Sequence, residues 1–192
     1  MNQINPFEYV SILVSIILGL GITQLLSSFS DLLYNYKKVK FYWPHTIWVM
    51  FILFLHVQDW FITYQLKDLT VWYLPQLLFV LLYPIMLFTT AKMLLPTNDS
   101  EERYSMKMFY QSQFPIIFIL MAISIFLSIM FNIILLNRNL VEQSMLILFL
   151  LIMVVMVIKK PKTELLHQGI AILLFVATIL SILLEENAWV IK

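Results

Sequence analysis

The chain is predicted to fold as an all-α integral membrane bundle of six transmembrane helices, and three observations predict it. Of its 192 residues, 61% are hydrophobic and only 12% are charged. Six segments are each apolar enough to lie in lipid. The basic residues gather in every second loop. A soluble domain is about 45–50% apolar and about 25% charged. A soluble fold of this size cannot hide so much apolar surface from water. The mean hydropathy of +0.90 agrees.

A bilayer-spanning helix needs roughly 20 apolar residues. The spans are placed at about 7–33, 44–65, 71–94, 109–136, 141–158 and 164–184, all in one transmembrane domain, 1–192. The first has no basic residue ahead of it; the earliest is Lys37. Cleavable signal peptides begin with a basic region, so this helix is expected to be retained. The second span carries "LHVQDWF", which sets His56, Gln58 and Asp59 within one turn. The third holds Pro84 near its middle, where the ring removes a helix hydrogen bond, frees the Val80 carbonyl and predicts a kink. The fourth carries Ser124, Ser128 and Asn132 at four-residue spacing. The fifth is the shortest. The sixth carries Gly169, Ala177, Ser181 and Glu185 along one ridge. The longest connection, "PTNDSEERYSMK", is a polar turn too short to fold as a domain.

The charges support the count and orient it. The loops after spans one, three and five hold Lys37, Lys38, Lys40, Lys92, Arg103, Lys107, Lys159, Lys160 and Lys162. The other side holds only Lys67, Arg138 and Lys192. Basic loops stay in the cytoplasm, so both termini are expected outside. Tyr42, Trp43, Trp60, Tyr64, Trp72, Tyr73 and Trp189 fall near the span ends, where aromatic rings collect at headgroup level.

Several function classes are disfavoured. The net charge is +1 and the densest basic run is Lys37, Lys38 and Lys40, so no nucleic-acid surface is expected. The chain has no cysteine, which removes disulfides, thiolate metal sites and cysteine nucleophiles. Its three histidines lie on separate stretches and no H-E-x-x-H pattern occurs. No G-x-S-x-G is present, and Asp31 and Asp59 belong on opposite sides of the bilayer. With two arginines there is no cluster for phosphate. The expectation is a protein without catalytic, cofactor or metal residues.

The polar residues inside the spans need another account. Span one repeats a small or polar residue every fourth position: Ser11, Ser15, Gly19, Thr23 and Ser27, then Asp31. Such ridges let helix backbones approach in lipid. They can also line a conduit, here with Glu8 and Asp31 at its mouths. Ionisable groups within a bilayer are costly and face the protein interior or each other. His56 and Asp59 are three apart and share a helix face. An antiparallel neighbour would bring Glu8 to their depth. Glu8, His56, Gln58 and Asp59 are therefore the expected polar site. It is read as a register-fixing knot, a proton- or cation-handling site, or a catalytic or metal cluster.

The opening "FEYVSILVSIILGLGITQLL", with "YWPHTIWV" and "HVQDWF" after the basic loop, resembles a group of small bacterial multi-pass membrane proteins of unassigned function. The resemblance covers about the first third of the chain. It implies a bacterial inner-membrane location and no particular activity. The functional expectation is channel- or transporter-like passage of protons or small cations. The lipid bilayer and either a second copy or another membrane protein are the expected partners. The alternatives are a non-transporting anchor, sensor or assembly partner, and a triggered membrane-permeabilising effector.

Overall fold

The computed structural model describes residues 5–96, 104–161 and 163–184. Arg103, Lys162, Glu185, Trp189 and Lys192 lie outside the described residues, and of Ser181 only the backbone is described. The chain is all-helical. α1 runs Pro6–Tyr34, α2 Trp43–Thr63, α3 Leu74–Leu94, α4 Met106–Ile134, α5 Ser144–Lys159 and α6 Glu164–Leu184. The first four, and α5 taken with the short 3-10 turn before it, are long and apolar enough to cross a membrane. α6 is apolar over Glu164–Leu180.

Local chemistry sets the helix ends. Asn5 caps α1: its side chain accepts from the Phe7 amide at 3.1 Å. Glu8 returns the favour, accepting from the Asn5 amide at 3.3 Å. This reciprocal pair is a capping box, and Pro6 occupies the first turn, where no amide hydrogen is needed. Pro44 and Pro75 play the same part in α2 and α3. α5 ends where Lys160 turns left-handed, at φ 42°. Pro84 lies buried inside α3, which continues on both sides of it. α4 contains a second internal proline, Pro115.

The helices alternate so that the basic loops share one end. There, β1 (Val39–Lys40) and β2 (Tyr104–Ser105) form a two-residue parallel bridge between the first and third connections. His45 Nε2 donates to the Leu94 carbonyl at 2.6 Å, tying the start of α2 to the end of α3. Lys107 on α4 pairs with Glu164 on α6. At the opposite end, the Phe7 and Tyr64 rings meet edge to face at 6.2 Å.

α2 packs against α1, α3 and α6, while α3 lies between α1 and α4, and α5 packs on α4. The basic half is solid. Trp48, Ile52, Tyr110, Ile117, Phe118 and Met153 are among the fully buried members of one large cluster there. A second cluster, including Val10, Val14, Leu18, Val80 and Leu87, joins α1 to α3 nearer the opposite end.

The buried stripe of α1 is Val10, Val14, Leu18, Gly21, Leu25 and Leu32. It is not the row of small residues expected to pack. Ser11 and Ser15 are half-buried, and Gly19, Thr23, Ser27 and Asp31 are exposed. The reason is that large aliphatic side chains bury more surface than serine or threonine, and they take the interior. The close approach instead occurs at Gly21, where the ring of His56 lies on the helix backbone. A Cβ there would sit 2.1 Å from His56 Nε2, whereas one on Gly19 would meet nothing within 4 Å. Gly21→Ala is expected to destabilise the protein by about 1–3 kcal/mol by overpacking, and Gly19→Ala to stay within about 0.5 kcal/mol. Unfolding of both variants in mixed micelles measures the contrast; equal effects would overturn the assigned interface.

Candidate functional site: a cavity in the half away from the basic loops

Five helices enclose a cavity of about 200 Å³. Its wall comes from α2 to α6, and α1 contributes nothing to it. One part is apolar: Phe51, Leu87, Met121, Phe149 and Met153 close it near the middle of the bundle. The other part is polar and reaches the end of the bundle away from the three basic loops. Gln58 and Asp59 face it from α2, Tyr83 from α3, Ser124, Ser128 and Asn132 from α4, and Thr178 from α6. Gln65, Arg138, Glu142 and Gln143 complete its mouth.

Most of these polar groups already have partners. The hydroxyls of Thr90, Ser124 and Thr178 donate to carbonyls four residues earlier in their own helices, at 2.8 Å, 2.9 Å and 2.8 Å. Asn132 donates to Gln143 Oε1 at 2.7 Å, joining α4 to the turn before α5. Arg138 donates to Gln65 Oε1 at 3.3 Å across the mouth. Asp59 differs. Its Oδ2 is shut off from solvent and has no hydrogen-bond partner. Among the described residues, no Lys, Arg or His nitrogen lies within ion-pairing distance of it.

The structure divides the residues expected to form one polar site. Gln58 and Asp59 face the cavity. His56, three residues before Asp59, turns toward α1: Nδ1 donates to the Ile52 carbonyl at 2.7 Å, and Nε2 lies against Gly21 without a hydrogen-bond partner. Glu8 is exposed and engaged in the α1 cap. A carboxylate that satisfies a helix start remains at that start, so Glu8 does not join the other three.

The α1 row likewise stays off the cavity. Ser11 donates to the Glu8 carbonyl at 2.9 Å and Thr23 to the Gly19 carbonyl at 2.8 Å, while Ser15 accepts from Trp60 Nε1 at 3.2 Å. The row on α4, Ser124, Ser128 and Asn132, does face the cavity.

A separate polar cluster closes the basic end. Tyr110 and His167 are both buried. The Tyr110 hydroxyl donates to His167 Nδ1 at 2.9 Å, and His167 Nε2 donates to the Pro161 carbonyl at 2.8 Å. This pattern fits the neutral Nε2–H tautomer. The His45 ring stands edge-on to Tyr110 at 6.2 Å. Tyr42, just outside the second span, has its phenol pushed above the usual tyrosine range by burial and then by the charge of Glu164. It is neutral throughout the physiological range. No group of three or more His, Cys, Asp or Glu residues able to hold a metal occurs among the described residues.

Sequence reasoning missed the cavity mouth and the Tyr110–His167 pair. In the sequence Arg138 stands out only as a loop charge. His45 and His167 both begin their spans at the basic end, and that shared depth was the available signal. Comparison of the chain with protein families, curated proteins and solved structures finds no match. Replacing Tyr110 by Phe leaves the buried His167 Nδ1 without its donor. The expected loss is about 1–3 kcal/mol, read as a lower thermal midpoint in detergent; an unchanged midpoint would remove this pair from the closure of the basic end.

Proposed function

We propose that the protein crosses the membrane six times, with both termini outside and its three basic loops in the cytoplasm, and that it passes protons or small cations. The single observation that carries this reading is the buried, unpartnered carboxylate oxygen of Asp59 in the wall of a cavity. Ionisable groups at membrane depth are expensive and mark ion pathways. With the basic loops inside, the cavity belongs to the outer half, and the Tyr110–His167 cluster belongs to the closed inner half. That arrangement suits the outward-facing state of a small carrier. Asp59 takes up the ion, and Gln58, Ser128 and Tyr83 supply polar surface around it. The resemblance of the first third to small bacterial membrane proteins supports an inner-membrane location.

One observation favours a second reading. The cavity is blind at the middle of the bundle, where Phe51, Met121 and Met153 close it. A receptor or assembly partner that takes a solute from outside without passing it needs no more than this. The exposed α1 row of Gly19, Thr23 and Ser27 suits such a partner helix, or a second copy of the chain, because small residues allow close approach in lipid.

Flux through purified protein in liposomes separates the two. Asp59→Asn is expected to lower pH-driven cation or proton flux at least about tenfold while the protein stays folded. Glu8→Gln, at the helix cap, is expected to leave flux unchanged. No flux from the unaltered chain under any gradient would reject transport in favour of the receptor reading. Orientation has its own test, since the chain has no cysteine of its own. A cysteine placed at Asp68 should react with an impermeant thiol reagent added outside intact cells, and one placed at Lys38 should react only after lysis. The reverse pattern would overturn the topology.

A further inference from the structure

We propose that the cavity is a binding site for a small organic cation, an alkyl- or arylammonium whose head sits at Asp59 and whose apolar body lies on the floor. This rests on the reading of the cavity as a cation site and names its substrate class.

The polar lining is not built as a cage for a metal ion. A hard cation takes about six or more oxygen ligands. Asp59 is the one carboxyl group in the deeper wall, and among the described residues no group of three or more His, Cys, Asp or Glu stands together to hold a metal. The buried acceptor in the wall without a partner is a single carboxylate oxygen. One such oxygen matches one ammonium head.

The rest of the volume matches a hydrocarbon body. Phe51, Leu55, Leu87, Met121, Phe149 and Met153 line the deeper part, and the cavity holds about 200 Å³. Water in that part would lack hydrogen-bond partners, because a stable buried water needs two or more polar neighbours. An apolar group there is favoured by the area it removes from water. Tyr83 and Phe149 add aromatic surface to the lining.

An anion does not suit the site. Arg138 is its sole arginine or lysine, stands at the mouth and is engaged with Gln65. Gln65 is six residues beyond Asp59, roughly 9 Å along the helix axis. Asp59 is the acidic group deep in the cavity, and at the mouth Glu142 stands beside Arg138. A buried carboxylate with no counter-charge is unfavourable, and a bound ammonium supplies the missing partner.

The probe is benzylammonium, whose head has N–H donors for the Asp59 oxygen, with its uncharged carbon isostere ethylbenzene as control. Binding to the full chain in nanodiscs is measured by calorimetry for the unaltered protein, Asp59→Asn and Asp59→Glu. Saturable binding of the cation, at least about tenfold tighter than the isostere, is expected; that ratio corresponds to about 1.4 kcal/mol. Asp59→Asn should abolish the preference and Asp59→Glu should keep part of it. The comparison of two probes on the unaltered protein holds even if a variant fails to fold. Equal binding of cation and isostere overturns the proposal. So does an absence of binding beside Asp59-dependent proton flux in the same preparation, which leaves the ion-passage reading standing. An absence of both binding and flux overturns the two together.

Discussion

Hydrocarbon offers no hydrogen bonds, and that constraint arranges nearly every polar group in this chain. Backbone groups close within the helices. Hydroxyls in the spans fold back on their own helices, as Thr23, Thr89, Thr90, Ser124 and Thr178 do. Amides find other side chains: Gln24 donates to Ser28, and Asn132 to Gln143. Histidines donate to carbonyls freed near helix ends or to the preceding turn. Against this background an unpartnered buried oxygen is informative. Trp48 Nε1, His56 Nε2, Gln113 Oε1 and Asp59 Oδ2 are the described buried side-chain atoms left without a partner, and of these residues only Asp59 lines the cavity.

The same constraint explains why the two halves differ. In the basic half, aromatic rings fill the space between α2, α4 and α6. Trp48 meets Phe118 at 5.2 Å, and Phe114 meets His167 at 4.7 Å. Such rings bring large apolar areas with few polar atoms, so they pack solidly. The other half has smaller and more polar residues at the matching positions, among them Ser124, Ser128, Asn132, Ala177 and Thr178. Those side chains do not reach across the bundle, and the space between the helices stays hollow. The cavity follows from side-chain size on α4 and α6 as much as from chemistry on α2.

Much of the architecture was legible because lipid makes a loud compositional signal. The six apolar segments coincide with the six helices to within about three residues at each end. The cap at Asn5 was not foreseen, and it explains why Glu8 failed to join Asp59. A residue that close to a helix start answers first to the free amides of its own first turn. The α1 row was read as the main packing surface because small residues at four-residue spacing have that meaning in many helix pairs. In α1 the adjoining stripe of valine and leucine was the stronger claimant, and only Gly21 marks close approach. Which helix faces which is set by long-range packing. That left the cavity illegible, since its wall draws on five helices far apart in the chain. The α4 row of Ser124, Ser128 and Asn132 lines that cavity.

The packing of α1 has a consequence for how the bundle comes together. Its most extensive contacts are with α3, and those with α2 are fewer, the Gly21–His56 approach among them. Helices enter a bilayer in the order in which they are synthesised. Taken alone, α1 and α2 would be joined mainly where an imidazole rests on a glycine. The surface formed by Val10, Val14 and Leu18 faces lipid until the third helix arrives. In the folded bundle α3 covers that surface, so the burial of α1 depends on the third helix more than on the second.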